Sequence, residues 1–201
     1  MAPRVPFVGL TGGLGAGKSE ALRALDDLGA EVLSTDRVVH ELLATAEMRD
    51  LVVERLGPDV APDGMLDRSL IAGKVFGDDH ARAWLEELLW PRVGERVAAW
   101  KAGLDRADPP PRAAVVEVPL LFESGMEAVF ERTIAVVAGE EVRVQRAGAH
   151  GHAALDERTG RQLSQEEKSQ RADFTVRNDG TLSELKTSLS SVLAKIEEEA
   201  Q

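Results

Sequence analysis

The residues with the clearest chemical signal lie near the amino terminus, where residues 12–19 read GGLGAGKS. This stretch satisfies the pattern G-x-x-x-x-G-K-[ST], and it stands between an apolar run at residues 5–10 and a helical pattern at residues 18–28. Glycines let backbone N–H groups approach phosphate oxygens closely, and the start of a helix attracts the same anion. Motif and context together predict a phosphate loop that binds a nucleoside triphosphate.

Two side chains of this loop have expected roles of their own. Lys18 brings a full positive charge to the β- and γ-phosphates and is a candidate catalytic residue, and the Ser19 hydroxyl is the expected ligand of Mg²⁺. The remaining loop residues that we expect to hold ATP, mainly through their backbone, are Gly13, Gly15, Ala16 and Gly17. ATP and Mg²⁺ are therefore the expected substrate and cofactor.

A carboxylate, Asp36, follows a short predicted strand at residues 31–33. We expect it at the carboxyl end of that strand, beside the phosphate loop. A carboxylate there could accept a proton from a substrate hydroxyl or hold a Mg²⁺-bound water. The alternative is that Asp36 is the N-cap of the following helix, a position that aspartate favours.

The elements that must position these residues follow from apolar patterning. Apolar runs predict five strands, at residues 5–10, 31–33, 113–118, 133–138 and 174–177. The two runs at 113–118 and 133–138 lack polar alternation, as expected for parallel strands covered on both faces. Helical spacing predicts helices at 18–28, at 36–56 with an interruption near Thr45, and at 67–100 with a kink or a helix start at Pro91.

Two further helix starts are predicted from capping-box spacing, one at Ser164 with Glu167 and one at Thr181 with Glu184. Strands that alternate with helices predict a three-layer α/β/α domain of the P-loop NTPase class, with a parallel sheet of about five strands. In such folds ligands bind at the carboxyl ends of the strands, where the phosphate loop is expected.

Composition narrows the class of protein. The chain has 201 residues, enough for one α/β domain, and its formal net charge of −11 argues against nucleic-acid binding, which needs a basic surface. It has no cysteine, which excludes disulfides and thiolate metal sites. No apolar run approaches the roughly 18 residues of a membrane span, and we expect a cytoplasmic protein.

The type of phosphate-loop protein can be narrowed as well. A GTPase needs a guanine-reading N-K-x-D loop, and the sequence contains none. A short chain with basic residues near its carboxyl-terminal third fits a kinase that acts on a small molecule.

Several blocks of the sequence, in order along nearly the whole chain, resemble the dephospho-coenzyme A kinase family. These blocks are GLTGGLGAGKS at residues 9–19, LGAEVLSTD at 28–36, LDR at 66–68, VF at 75–76, PLLFE at 119–123, and the closing residues Gln162, 166–168, 171–173 and 178–180. The combination of GLTGG and PLLFE is the most distinctive feature, because a generic phosphate-loop protein has no reason to contain both.

The resemblance implies a specific reaction, the ATP-dependent phosphorylation of the ribose 3′-hydroxyl of dephospho-coenzyme A. The products would be coenzyme A and ADP, in the last step of coenzyme A synthesis. It also implies a single kinase domain with a helical acceptor-binding insertion at about residues 60–105 and a helical lid at about 140–172. The expected partner is a small molecule, and the expected state is a monomer or weak homo-oligomer.

Residue roles implied by the resemblance extend beyond the loop. Asp36 matches an acid proposed as the general base in the family. Arg146 and Arg158 match lid arginines, and Arg146 would contact ATP and take part in catalysis. Asn178 and Gly180 fall in a stretch that lies near the adenine of ATP.

The remaining candidates are acidic or lie close to the predicted lid. Glu123 could orient the substrate, and Glu20, where the family usually has threonine, would lie near the bound phosphates. For Arg161, Lys168 and Arg171 we expect a solvated helix face of mixed charge.

Three positions depart from the family pattern: Glu20, Ser34 in place of an acid, and Trp90 in place of histidine. Two alternative functions stay open. One is a different small-molecule, nucleoside or nucleotide kinase on the same scaffold, which Ser34, Trp90 and His150 favour because they fall at or near acceptor-side positions. The other is a nucleotide-binding regulator without turnover.

Overall fold

The apolar runs of the sequence form one parallel sheet in a computed structural model, which describes residues 4–148 and 162–200. The strands are β1 (Phe7–Gly12), β2 (Glu31–Ser34), β3 (Ala114–Glu117), β4 (Arg132–Val137) and β5 (Phe174–Arg177). Their order is β2-β3-β1-β4-β5, and every neighbouring pair is parallel. The five predicted strands are confirmed, with small differences at their ends.

Helices alternate with these strands along the described chain. They are α1 (Lys18–Asp27), α2 (Thr35–Leu43), α3 (Ala46–Leu56), α4 (Arg68–Val75), α5 (Asp79–Leu104), α6 (Glu140–Gly148), α7 (Gln165–Arg171) and α8 (Leu182–Glu199). Short 3₁₀ turns lie at Pro58–Val60 and Met126–Val129. Among the helices in the described ranges, none is long and apolar enough to cross a membrane.

The chain divides into two compact units, Met1–Ser34 with Lys101–Gln201, and Thr35–Trp100. The first unit contains the sheet, and alternate residues of β1 point to its two faces. Leu10 packs in a core cluster with Leu25 of α1 and Leu189 of α8, while Gly9 lies against Phe130 on the other face. The sheet is therefore covered on both sides, and the predicted three-layer α/β/α class is confirmed.

The second unit is helical and has a core of its own, built on Leu43, Val52, Val60 and Ile71. The predicted interruption near Thr45 is confirmed, because the Thr45 hydroxyl accepts a hydrogen bond from the Met48 N–H and caps α3. The unit begins at residue 35, upstream of the predicted insertion at about 60–105. The acceptor-binding role of that insertion stays a prediction.

Two local expectations about helix starts have opposite outcomes. Both capping boxes form, with reciprocal bonds between Ser164 and Glu167 and between Thr181 and Glu184. Pro91, by contrast, lies inside α5, which runs without a break from residue 79 to residue 104, so a helix start at Pro91 is wrong.

Candidate active site

The phosphate loop spans the short gap between the end of β1 at Gly12 and the start of α1 at Lys18. Gly15 and Gly17 have φ angles of 74° and 88°, in the left-handed region that favours glycine. A Cβ atom on Gly15 would lie 2.7 Å from the Arg143 carbonyl oxygen, and one on Gly17 would overlap Nδ2 of Asn178. Both backbone angle and close neighbours therefore require glycine at these two positions.

The loop ends in a helix start that is suited to bind an anion. Gly17 is the N-cap of α1 and has no side chain to occupy the first N–H groups of the helix. These N–H groups and the helix dipole present partial positive charge. Lys18 Nζ donates a hydrogen bond to the Gly13 carbonyl oxygen at 3.2 Å, and Ser19 is exposed in the first turn. The arrangement places an ammonium, a hydroxyl and backbone donors together.

Three of the residues expected to bind ATP meet against this loop. Asn178 is 3% exposed, and its Nδ2 donates to the Ala16 carbonyl oxygen at 3.0 Å. Arg146 in turn donates to the Asn178 carbonyl oxygen at 3.1 Å. Glu20 Oε2 lies 3.4 Å from Asn178 Nδ2 and 4.0 Å from the Arg146 guanidinium. The Asn178 amide thus braces the loop, while Arg146 stays next to it.

The neighbouring residues Asp179 and Gly180 have other tasks. Asp179 accepts a hydrogen bond from the Gly139 N–H, which lowers the pKa of its carboxyl, with further lowering by Arg177 and Arg146. Gly180 is exposed beside the cap of α8, and a Cβ atom there would overlap the Glu184 carboxylate. The role of Gly180 in ATP binding stays a prediction.

Asp36 is exposed in the first turn of α2, two residues after the end of β2. Because α2 begins at Thr35, Asp36 lies inside the helix and not at its N-cap. Its role as the general base stays a prediction. Arg158, the second predicted lid arginine, lies outside the described residues, as does Arg161.

The expectation for Lys168 is wrong, since its side chain is fully buried and not part of a solvated face. Lys168 Nζ lies 2.9 Å from Glu123 Oε1, 2.7 Å from the Pro119 carbonyl oxygen and 3.4 Å from Thr11 Oγ1. Glu123 Oε1 also accepts a hydrogen bond from the Leu163 N–H at 2.8 Å. Glu123 was expected to orient the substrate, but its Oε1 atom binds two groups of the protein itself, the Lys168 ammonium and the Leu163 N–H.

Sequence reasoning also missed two residues that contact the loop and its surroundings. Arg143 donates through Nε to the Leu14 carbonyl oxygen at 3.0 Å. Gln165 bonds both backbone groups of Ala138, the residue after β4, at 3.0 and 2.9 Å. A signal existed for Arg143, because it lies three residues before Arg146 and shares its helix face; none existed for Gln165.

The donor set fits a Mg²⁺ ion that arrives with the nucleotide. Among the described residues no group of three or more His, Cys, Asp or Glu side chains could hold a metal ion. Mg²⁺ in such sites is bound by one or two protein oxygens together with substrate phosphates and water. Ser19, exposed at the helix start, can supply a protein oxygen of this kind.

Comparison with known proteins agrees with the geometry. The family model described as dephospho-CoA kinase matches residues 6–184. A dephospho-CoA kinase of Protochlamydia amoebophila is 39% identical over 94% of this chain and 95% of its own length. One from Moorella thermoacetica is 38% identical over 96% of this chain and 91% of its own.

Solved structures show the same fold. The crystal structure of TT1252 from Thermus thermophilus has a TM-score of 0.77 and 33% identity, and the match covers 95% of this chain and 98% of that one. A dephospho-CoA kinase from Campylobacter jejuni reaches a TM-score of 0.67 at 22% identity, with 96% of this chain and 98% of that chain covered. The second match, at this identity, supports the fold alone.

Proposed function

The chain belongs to the dephospho-CoA kinase family, and we propose that it transfers the γ-phosphoryl group of ATP to the ribose 3′-hydroxyl of dephospho-coenzyme A. The products are coenzyme A and ADP. Family membership supports the acceptor, and the phosphate loop supports the donor. The loop is the feature that carries the proposal, because its glycine angles, its uncapped helix start and Lys18 suit the phosphates of ATP.

The proposed binding of ATP uses groups that already converge. Backbone N–H groups of residues 13–19 and the ammonium of Lys18 hold the β- and γ-phosphates. Arg146, which contacts Asn178 beside the loop, supplies a second cation that can balance the charge of the transferring group. Ser19 holds Mg²⁺, which when bound neutralises charge on the phosphates.

In the proposed reaction the acceptor 3′-oxygen forms a bond to the γ-phosphorus as the bond from that phosphorus to the bridging oxygen of ADP breaks. The hydroxyl proton passes to the carboxylate of Asp36, which acts as the general base. Positioning and charge stabilisation provide most of the rate in transfers of this type. The monomeric or weakly oligomeric state and the cytoplasmic location stay predictions.

The decisive experiment measures ADP release by the purified protein with Mg-ATP, with and without dephospho-coenzyme A, and identifies the product by chromatography. We expect a large acceptor-dependent rise and coenzyme A as product. Lys18→Met, prepared identically, is the control for a contaminating kinase and should show no rise. ATP binding without acceptor-dependent release would overturn the proposal in favour of another acceptor or a regulator.

A further inference from the structure

Lys168 and Glu123 form a buried ion pair at the carboxyl edge of the sheet, where Lys168 Nζ also contacts Thr11 of β1 and Pro119 after β3. Lys168 is fully buried, although lysine is almost never buried without a partner. Its ammonium has three donors, and three oxygen atoms surround it, from Glu123, Pro119 and Thr11. The ammonium is therefore fully matched by acceptors.

Stability alone does not account for this arrangement. Removing an ion pair from water has a large desolvation cost, and apolar side chains of similar volume often stabilise a buried site equally well. Hydrogen bonds, unlike apolar contacts, are directional and fix the positions of the atoms that they join. The role of the Lys168–Glu123 pair is therefore inferred from the places in the fold of the residues that Lys168 contacts.

Two of the three partners, Thr11 and Pro119, lie at or just after the carboxyl ends of neighbouring strands, next to the phosphate loop. Thr11 is the penultimate residue of β1, two residues before Gly13, and its hydroxyl also donates to the Pro119 carbonyl oxygen at 3.2 Å. Pro119 follows the end of β3, which pairs with β1. Lys168 thus ties the strand that leads into the loop to its neighbour.

The preceding turn of the same helix makes a second attachment. Gln165 bonds the N–H and the carbonyl of Ala138 at the exit of β4, the other neighbour of β1. Its Cγ atom lies 3.0 Å from the position that a Cβ atom on Gly13 would occupy. Helix α7 therefore spans the exits of three adjacent strands, β3, β1 and β4, and touches the first residue of the loop.

We propose that Lys168 is a positioning residue for the phosphate loop, which it holds in its ATP-binding geometry through Thr11 and Pro119, with Glu123 as the counterion. The proposal rests on the proposed use of this loop to bind ATP. Lys168 touches neither ATP nor the acceptor. Its loss weakens ATP binding in protein that remains folded.

The test compares Lys168→Met with the double variant Lys168→Met/Glu123→Gln. The single variant leaves a buried carboxylate without its counterion, which destabilises the fold, whereas the double variant removes both charges at nearly constant volume. We expect the double variant to melt near the wild-type temperature. We also expect its Kd for Mg-ATP, measured by titration calorimetry, to rise about tenfold, because Thr11 and Pro119 have lost their donor.

Steady-state kinetics distinguish a positioning role from a general loss of stability, because only a positioning role predicts a selective change in the KM for ATP. The KM for ATP should rise in the double variant while the KM for dephospho-coenzyme A stays near the wild-type value. Lys195→Met, at an exposed position of α8, is the matched control and should change neither constant. A folded double variant with wild-type Kd for ATP overturns the proposal.

Two further outcomes are also decisive. Should neither Lys168 variant fold, Thr11→Val removes the hydroxyl but keeps the ion pair; a raised Kd for ATP supports the proposal, and an unchanged one overturns it. Should the wild-type protein bind ATP but not phosphorylate dephospho-coenzyme A, the proposed acceptor fails while the ATP titrations still test Lys168.

Discussion

Single residues around the phosphate loop hold one another in place through hydrogen bonds. Lys18 donates to the Gly13 carbonyl oxygen, and Asn178 donates to that of Ala16. An ammonium has three donors, so Lys18 can turn toward a phosphate oxygen, a stronger acceptor than a neutral carbonyl. Asn178 has no such freedom, because its side chain is buried. We therefore expect Lys18 to respond to ATP and Asn178 to act as a fixed support.

The role of Asp36 can be tested by a change that removes only its charge. Asp36→Asn should lower kcat by about two to four orders of magnitude, because the amide cannot accept the hydroxyl proton. The Kd for ATP should stay within a few-fold of the wild-type value. Steady-state rates and ATP titrations of the same preparation measure both.

The matched control for this substitution is Asp63→Asn, at an exposed loop position of the second unit. It should leave kcat unchanged. A wild-type kcat in Asp36→Asn would remove Asp36 as the base.

The left-handed angle of Gly17 gives a second prediction for a single residue. Gly17→Ala should lower the free energy of unfolding by about 1–3 kcal/mol, since the new methyl group meets Asn178 and the φ angle of 88° is unfavourable for alanine. ATP affinity should fall as well, because the loop must shift. Urea unfolding and ATP titration measure the two effects.

Gly94→Ala is the matched control in α5, where a Cβ atom would meet nothing within 4 Å. Gly94→Ala should raise the free energy of unfolding by about 0.5–1 kcal/mol, because alanine is favoured over glycine inside a helix. Equal effects at the two glycines would contradict the account of the loop.

At the level of helices and strands, α8 is joined to the chain that enters β3. Arg112, just before β3, forms a two-pronged ion pair with Glu197 of α8, with N–O distances of 2.8 and 2.6 Å. In a third hydrogen bond, Arg112 Nη1 donates to the Leu28 carbonyl oxygen after α1. One guanidinium therefore links two helices to the entrance of a strand.

This pair predicts a dependence of stability on pH. The hydrogen bond and charge of Arg112 hold the pKa of Glu197 below its ordinary value of 4.5. A carboxyl whose pKa is lowered by folding stabilises the protein above its unfolded pKa, and the contribution is lost as the pH falls through the folded pKa. Glu197→Gln should therefore lower the free energy of unfolding more at pH 7 than at pH 3, as measured by urea unfolding.

The difference in the free energy of unfolding between wild type and Glu197→Gln, measured across pH, isolates the Arg112–Glu197 pair. All other carboxyl groups titrate in both proteins and cancel in this difference. Arg112 stays charged throughout, since Glu197 raises its pKa further. A difference between wild type and Glu197→Gln that is the same at both pH values would contradict the prediction.

For the chain as a whole, a net charge of −11 must accommodate a polyanionic nucleotide. Three positive groups near the phosphate loop offset the negative charge locally. Lys18 is part of the loop, Arg143 donates to the Leu14 carbonyl oxygen of the loop, and Arg146 lies beside the loop. The position of these groups matters more than the net charge of the whole protein. Exposed charges that lie more than about 8–10 Å from the bound phosphates are largely screened at physiological salt. An acidic protein can thus bind ATP at one basic site.

The whole protein should also respond to metal removal in a specific way. EDTA should abolish phosphoryl transfer but leave the melting temperature of the nucleotide-free protein unchanged, because no metal-binding cluster exists among residues 4–148 and 162–200. Differential scanning fluorimetry and the ADP assay measure the two properties. A fall in the melting temperature would reveal a resident metal ion.

Much of the fold was predictable because its signals are local. The glycines, Lys18 and Ser19 define a motif within eight residues, and apolar runs predict buried parallel strands wherever they fall along the chain. The capping boxes at Ser164 and Thr181 depend on residues three positions apart. Motifs, apolar runs and capping boxes can be recognised from a short stretch of sequence, without knowing which other elements pack against that stretch.

The support of the loop was decided only by the tertiary structure. Lys168 meets Thr11 across 157 positions, and Asn178 meets Ala16 across 162. A lysine that follows two glutamates and precedes Ser169, Gln170 and Arg171 has the pattern of a solvated helix face of mixed charge, and no neighbour in sequence shows that α7 turns it inward. Burial and pairing of such residues depend on which strand exits lie side by side, which is a property of the folded sheet and not of any local stretch of the chain.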